Sequence, residues 1–177
     1  MPQKVLLLVP VGSPPPQLLK DVEEPIVQQL GIQIAPSKLT LQRPSYAFNK
    51  DRGQYHSNAI MRRLVPLLER NHSFVLGLTD VDLFVPDSPF VFGEADRESR
   101  SAVVSTARLL PSTEMGAGQL RRRMQVEALH QAGHLVGLSY CEDSRCAMFL
   151  SQSPQETDKK QAALCNLCRN ELQKLLR

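Results

Sequence analysis

Apolar positions along the chain follow two different periods, and the change from one period to the other marks the predicted elements. Lys4 to Val9 is dominated by an apolar run of the kind that forms a buried strand. A helical pattern follows from Leu18 to Leu30, where apolar residues recur every three or four positions. Gly31 is suited to end this helix, and Ile32 to Ile34 returns to the alternation typical of a strand.

The middle of the chain repeats this order with shorter elements. Asn58 is a candidate N-cap for a second helix, whose apolar face comprises Ile60, Met61, Leu64, Leu67 and Leu68. Further apolar stretches predict strands at residues 73–78, 81–85, 90–92 and 102–109. The aromatic pair in the stretch from Phe90 to Phe92 could either line a peptide groove or pack in the core.

The last third of the chain begins with a long helical candidate at residues 118–138 and ends with an amphipathic helix that carries Leu167, Leu172, Leu175 and Leu176. Strands that alternate with helices predict an α/β domain. We therefore expect a compact single domain over residues 1–177. The segment 141–177 is too short for a large core of its own, so we expect it to be a zinc-finger-like part of that domain, stabilised by a metal.

The composition narrows the class of protein only slightly. A charged content of 22% and a net charge of +3 are ordinary for a globular protein and do not indicate a nucleic-acid partner. A sequence pI of 8.8 and the run Arg121–Arg123 keep that class only as an alternative, because such a run is usually a solvated helix face. No apolar run approaches the ~18 residues that span a bilayer, so we expect a cytoplasmic protein without a membrane partner.

The cysteines all lie in the last quarter of the chain and are arranged as two pairs. Cys141 and Cys146 are separated by four residues, and Cys165 and Cys168 form a C-x-x-C motif. A reducing compartment disfavours disulfides, which makes metal ligation the better interpretation of such a cluster. Four thiolates can surround one zinc ion tetrahedrally, so the sequence predicts a structural zinc site here.

A second candidate metal site lies in the long helix. His130 and His134 are four residues apart, so both imidazoles project from one helix face and can reach the same zinc ion. Gly137 follows at a position suited to end the helix, and Tyr140 precedes the first cysteine. This arrangement predicts a zinc centre at the carboxyl end of the helix.

Together these residues resemble the archaemetzincins, a group of metzincin-type zinc peptidases that combine a zinc-binding helix with a cysteine zinc site. The likeness includes Met148 in a C-A-M sequence and extends to the segments 52–57, 80–86, 90–95 and 105–109. The resemblance implies a mixed, twisted sheet with two main helices and a substrate cleft under an edge strand. It also implies that Met148 forms the floor beneath the histidine site.

The chain departs from this family pattern at the position that follows the first histidine. The family has a glutamate there, which accepts a proton from zinc-bound water, whereas this chain has Gln131. A glutamine amide can orient water through a hydrogen bond, but it does not accept the proton near neutral pH. Gln131 therefore occupies the catalytic position and predicts a weakened or absent peptidase activity.

Tyr140 is the second departure, because the family has the third histidine ligand at this position. A neutral phenol is a poor zinc ligand, and its free pKa of about 10 means that coordination must drive its deprotonation. Tyr140 could bind zinc as a phenolate, or it could pack beside a two-histidine site. The resemblance thus predicts a zinc peptidase that acts on peptides or proteins, with impaired catalysis. The alternative is a non-catalytic, zinc-stabilised module that binds peptides or proteins.

Overall fold

The computed structural model describes residues 3–112 and 116–177. Its strands are β1 (Val5–Val11), β2 (Gln33–Pro36), β3 (Phe48–Asn49), β4 (Gln54–His56), β5 (Phe74–Thr79), β6 (Leu83–Phe84), β7 (Gly93–Asp96) and β8 (Ser101–Ser105). Its α-helices are α1 (Pro16–Leu30), α2 (Ser57–Leu64), α3 (Gly116–Val136), α4 (Pro154–Lys159) and α5 (Asn166–Leu175). Short 3₁₀ turns cover Ser45–Ala47 and Val65–Leu67.

The main sheet is mixed and has the order β2-β1-β5-β8-β7. The pairs β2–β1, β1–β5 and β5–β8 are parallel, whereas β7 and β8 are joined by a short turn and pair antiparallel. Within the described residues, β7 therefore ends the sheet with one edge unpaired. A smaller sheet of order β3-β4-β6 lies beside it. The prediction of a mixed α/β sheet with an edge strand is confirmed.

Helices cover both faces of the main sheet, which explains why β1 and β5 are almost continuously apolar. α1 and α3 pack together on one face and share a core with the cysteine segment and α5. α2 covers the opposite face with residues of the small sheet. The histidines and cysteines thus belong to the same layer of the protein, although His130 and Cys168 are almost forty positions apart in the sequence.

The second helix begins at Ser57 with His56 as its N-cap, so the assignment of Asn58 as its N-cap is wrong. Ser57 is already helical, and its hydroxyl donates to the Phe84 carbonyl and to the Glu94 carboxylate. The helix ends at Leu64, and the chain passes into the 3₁₀ turn that contains Pro66. Leu67 and Leu68 consequently pack from outside the helix, at the margin of the core.

The stretch from Phe90 to Phe92 is not a strand, which corrects a second prediction. Val91 forms a single bridge with Leu83, and regular pairing with β8 begins only at Gly93. The side chains of Phe90 and Phe92 are on the same side of the chain and pack against each other, with ring centroids 5.4 Å apart. β8 likewise ends at Ser105 and not near residue 109.

Arg123 corrects the expectation of a solvated arginine face. Arg121 and Arg122 are exposed, but the helical turn places Arg123 on the buried stripe of α3. Its guanidinium forms two 2.8 Å hydrogen bonds to the Asp158 carboxylate and a third to the Leu109 carbonyl. This bidentate pair holds α4, a helix that sequence analysis did not identify, against α3.

A second ion pair fastens the chain that follows α4. Lys160 is fully buried and donates to the Glu127 carboxylate on α3 at 3.1 Å. It also donates to the Phe149 carbonyl at 2.6 Å and to the Ser151 hydroxyl at 3.0 Å, while Thr157 donates to Glu127. The ammonium group is thus surrounded by acceptors, as a buried charge requires.

In the ranges 3–112 and 116–177, no helix combines the length and the apolarity needed to cross a membrane.

The buried pair predicts a large and specific loss of stability. In Lys160→Met, the Glu127 carboxylate stays buried without its cation, so we expect the free energy of unfolding to fall by about 3–5 kcal/mol. The double variant Glu127→Leu/Lys160→Met should lose less than Lys160→Met alone, because neither charge is left unpaired. Urea denaturation measures both values. Lys174→Met removes an exposed pair with Glu171 and should change stability by less than about 1 kcal/mol; an equal loss in both lysine variants would contradict the interpretation.

Candidate active site

The two histidines of α3 are held in one defined orientation. His130 is buried, and its Nδ1 lies 2.8 Å from the Ala147 carbonyl oxygen. His134 is half-buried, and its Nδ1 lies 2.9 Å from the Leu138 carbonyl oxygen. A carbonyl can only accept a hydrogen bond, so both Nδ1 atoms carry the hydrogen and both Nε2 atoms present lone pairs. These two Nε2 atoms are 3.1 Å apart.

This geometry fits a shared cation. Two lone pairs at this distance repel each other unless a positive charge lies between them, and zinc–nitrogen bonds of about 2.0–2.1 Å in a tetrahedral site place two nitrogens roughly 3.3 Å apart. Burial lowers the pKa of His130 to about 3, and the nearby charges of Lys160 and His134 act in the same direction. Burial also lowers the pKa of His134. Both rings are therefore neutral at physiological pH, which is the form that binds metals.

The floor and the end of this site depend on two glycines. Met148 is buried against Gly133, with its Sδ 2.4 Å from the point that a Cβ on this glycine would occupy, so no larger residue fits there without movement. Gly137 has a φ of 115°, which favours glycine, and the helix ends there. The turn brings the Tyr140 ring to centroid distances of 4.6 Å from His134 and 5.7 Å from His130. Tyr140 remains 62% exposed.

Gln131 lies between the helix and the edge strand. Its side chain is buried, and its Nε2 is 2.8 Å from the position that a Cβ on Gly93 would occupy. That Cβ would also lie 2.5 Å from the Val103 carbonyl oxygen, so residue 93 must be glycine for β7 to approach α3 this closely. The described part of the chain offers the Gln131 amide no hydrogen-bond partner, and its end borders the cleft.

An open cleft of about 870 Å³ contains these groups. Its walls are the edge strand β7, the Phe90–Phe92 pair, the histidine face of α3 and the chain from Leu150 to Gln152. Arg97, at the turn after β7, lies near Gly137 at the end of α3. Phe90 and Phe92 line this cleft, and Phe92 also belongs to the core.

The four cysteines form a second cluster, which is connected to the histidine site through the chain from Cys146 to Met148. Their Sγ atoms all lie within 4.8 Å of one another, and the pairs Cys141–Cys165 and Cys146–Cys168 are each 3.7 Å apart. Zinc–sulfur bonds of about 2.3 Å in a tetrahedral site give sulfur–sulfur distances of roughly 3.8 Å, so the donor set fits zinc. Burial and the neighbouring Cys146 sulfur raise the pKa of Cys168, which means that four thiolates need a cation at their centre.

Sequence analysis identified the histidines, Gln131, Tyr140 and the cysteines, and the fold brings them into one layer. It did not identify the Ala147 and Leu138 carbonyls, which fix the imidazoles, because backbone acceptors leave no sequence signal. It also missed the buried Lys160, whose partner Glu127 is distant in sequence, and Arg97, whose exposed position at a turn resembles many others.

Comparisons with known proteins show the family of this chain. The model of peptidase family M54 matches residues 17–174. An archaemetzincin from Methanocaldococcus jannaschii is 35% identical over 171 residues, which cover 95% of this chain and 92% of the relative. An archaemetzincin from Methanopyrus kandleri is 38% identical over 156 residues, covering 88% and 86% of the two chains.

Solved structures give the same answer for the fold. The crystal structure of the Methanopyrus kandleri archaemetzincin superposes with a TM-score of 0.86 at 35% identity, over 98% of this chain and 96% of that one. A zinc-dependent peptidase from Methanocorpusculum labreanum superposes with a TM-score of 0.84 at 26% identity, over 94% and 99% of the chains. Since these matches span the sheet, the histidine helix and the cysteine segment alike, the chain belongs to peptidase family M54, the family of the archaemetzincins.

Proposed function

We propose that this protein is an archaemetzincin-type zinc protein that binds peptides in its cleft and hydrolyses them far more slowly than a glutamate-bearing relative. The observation that carries the proposal is Gln131, whose uncharged amide borders the cleft beside His130. The groups around Gln131 are those that a zinc peptidase needs. Two neutral imidazoles direct their lone pairs towards one point, and the cleft is large enough for a peptide.

The missing step is a proton transfer. A zinc ion bound by His130 and His134 would supply Lewis acidity and would lower the pKa of bound water. A carboxylate at position 131 would take the proton from that water and deliver it to the leaving amine, whereas the Gln131 amide can only orient the water by a hydrogen bond. General-base assistance is typically worth about 10²–10⁴-fold in rate, and we expect a loss of this size.

Neither of the carboxylates that line the cleft replaces the missing base. Glu94 accepts a hydrogen bond from Ser57 of α2, which covers the face of the sheet opposite to α3. Glu127 is bound by Lys160 and by Thr157 and is almost fully buried. Both carboxylates are already occupied by protein partners, which supports impaired hydrolysis over a relocated base.

We infer that Tyr140 packs beside the histidines and is at most a weak zinc ligand. Its ring meets the His134 ring edge to face and is mostly exposed to solvent. A phenol must lose its proton before it binds zinc well, and an exposed ring gains little from doing so. A zinc ion held by the two imidazoles alone would then need water or a ligand group in the cleft to complete its coordination.

The cysteine cluster is proposed as a structural zinc site that makes residues 141–177 a zinc-finger-like segment. Backbone N–H groups of Asp143, Met148 and Cys165 point at its sulfurs at 3.4 Å, an arrangement that stabilises thiolates. The segment also carries Ala147 and Met148, which orient and support the histidine face. Loss of the cysteine zinc should therefore disturb the histidine site as well.

A non-catalytic peptide-binding protein is the second candidate, favoured by the free edge of β7 beside the cleft. The unpaired N–H and C=O groups of an edge strand can pair with an extended peptide, while Phe90 and Phe92 offer an apolar wall. This role needs the same cleft but no proton transfer, so binding and cleavage must be measured separately.

Replacing Cys165 with Ser should release the structural zinc. We expect native mass spectrometry to show one tightly held zinc fewer than in the unmodified protein, together with a lower melting temperature, because a serine hydroxyl is a poor substitute for a thiolate. Leu167→Ser changes an exposed neighbour in the same helix and should retain the metal. Full zinc retention in Cys165→Ser would show that the cluster is not a four-thiolate site.

Tyr140→His tests whether the tyrosine is a ligand. A third imidazole should strengthen zinc binding at His130 and His134 by at least about tenfold in competition with a chelator, since it completes a three-histidine site. Tyr140→Phe is the matched control, because it keeps the ring and removes only the hydroxyl. If Tyr140→Phe weakens zinc binding as strongly as Tyr140→His strengthens it, the phenol is a ligand after all.

Restoring both positions should restore peptidase activity. We expect no detectable cleavage of peptide libraries by the unmodified protein with zinc supplied, and chelator-sensitive cleavage by Gln131→Glu/Tyr140→His. Each single variant should recover less than the pair, because a base acts only on water held by a firmly bound metal. His130→Ala in the double-variant background should abolish the activity.

Two results would change the proposed function. Robust chelator-sensitive cleavage by the unmodified protein would mean that Gln131 is not limiting. An inert double variant whose zinc is fully bound, and which still binds peptides, would instead support the non-catalytic role.

A further inference from the structure

Arg97 occupies a distinct position at the end of the cleft. It is the first residue of the turn that joins β7 to β8, and it is exposed. One terminal nitrogen of its guanidinium, Nη2, lies 3.3 Å from the point that a Cβ on Gly137 would occupy. Gly137 is midway between His134 and Tyr140 in sequence, so this cation stands beside the residues that border the proposed zinc site.

The charges around the cleft are otherwise balanced. Glu127 is bound by Lys160, and Glu94 accepts from Ser57. Among the described residues, Arg97 forms no ion pair, although Arg108 and Arg123 each hold a carboxylate at 2.8 Å. Arg97 has two acidic neighbours in the sequence: Asp96 accepts from the Ser99 N–H in the same turn, and Glu98 is exposed and forms no ion pair among the described residues.

A structural role for Arg97 is the simpler alternative. A cation near the carboxyl end of α3 interacts favourably with the helix dipole, and the contact with Gly137 places it there. That role predicts an effect on stability and none on ligand choice, so the two interpretations separate in one experiment.

We propose that Arg97 recognises a carboxylate of the ligand in the cleft, so that peptides that present a carboxylate at this end of the cleft are the preferred class. The inference deepens the proposed function and rests on it. A guanidinium presents N–H donors in a planar fork that matches a carboxylate in two parallel hydrogen bonds. A zinc ion at the histidines adds positive charge on the same side of the cleft, which favours an anionic group further.

The carboxylate has two possible sources, and the direction of β7 distinguishes them. β7 runs from Gly93 towards Arg97, so a free carboxyl terminus reaches Arg97 when the peptide pairs parallel to this edge. An Asp or Glu side chain can reach it in either direction, including the antiparallel pairing that edge strands also accept. Amidation of the carboxyl terminus removes one source and exchange of Glu for Gln removes the other.

The test compares zinc-loaded protein with its Arg97→Gln variant. Random pentapeptide libraries are prepared with either Glu or Gln at the fixed central position and with either a free or an amidated carboxyl terminus. Binding is measured by fluorescence anisotropy. We expect the unmodified protein to prefer one of the acidic libraries by about tenfold, as for a charge-assisted bidentate contact, and Arg97→Gln to lose this preference while binding of the neutral library changes less than about twofold.

Arg62→Gln is the matched control, because Arg62 is exposed on α2 at the opposite face of the sheet and its removal changes the net charge equally. It should keep the preference for acidic peptides. A lower melting temperature of Arg97→Gln with an unchanged preference would overturn the proposal in favour of helix stabilisation. An unmodified protein that binds neutral and acidic libraries equally would overturn it too, while leaving peptide binding intact.

A small probe separates this inference from the proposed function. N-acetylglutamate carries the same carboxylates without a peptide chain, and its binding is followed by shifts of the histidine resonances. If this probe binds the unmodified protein and not Arg97→Gln, but no peptide library binds, the carboxylate site stands and peptide binding fails. Absence of binding by the probe and by every acidic library would overturn the proposed site.

Discussion

The hydrogen bond between His130 and the Ala147 carbonyl joins the two centres of this protein. Ala147 lies between Cys146, whose sulfur accepts the Met148 N–H, and Met148, which packs beneath Gly133. Three consecutive residues thus supply a cysteine of the proposed zinc cluster, the acceptor that fixes a histidine tautomer and the floor of the cleft. A displacement of this turn would free the His130 ring to rotate and would also remove Met148 from its position beneath Gly133. The position of the cysteine segment therefore determines the geometry of the histidine site.

The Lys160–Glu127 pair fixes the chain that follows Met148 against α3. Both charges are buried between α3, α4 and the segment from Phe149 to Ser151. Lys160 donates one hydrogen bond to Glu127 on α3 and two to that segment. Burying an ion pair stabilises a fold little compared with apolar packing, but it penalises any arrangement that separates the charges. This pair therefore contributes more to the exact placement of the cleft wall than to overall stability. Burial holds the pKa of His130 low, and the charge of Lys160 acts in the same direction.

Most of the fold could be predicted from local patterns, because strands such as β1 and β5 and helices such as α1 and α3 have strong periodic signals. The spacing of the histidines and the pairing of the cysteines likewise predict, from the sequence alone, that these side chains lie close together. The failures have a common cause in long-range contacts. Ser57 starts its helix because it bonds to Phe84 and Glu94, and Arg123 is buried because Asp158 lies opposite. No local pattern predicts such partners, and the assignment of each metal ligand remains a prediction from spacing and geometry.

The close approach of Gly93 to Gln131 has an evolutionary consequence. Glutamine and glutamate have the same shape, so the space between β7 and α3 accepts either residue without repacking. Their codons differ by a single base, and the same is true of the codons for tyrosine and histidine at position 140. The two departures from the family pattern are therefore each one nucleotide from reversal, on a scaffold whose packing hardly distinguishes the alternatives. A lineage could change between a peptidase and a peptide-binding protein without substitutions in its core.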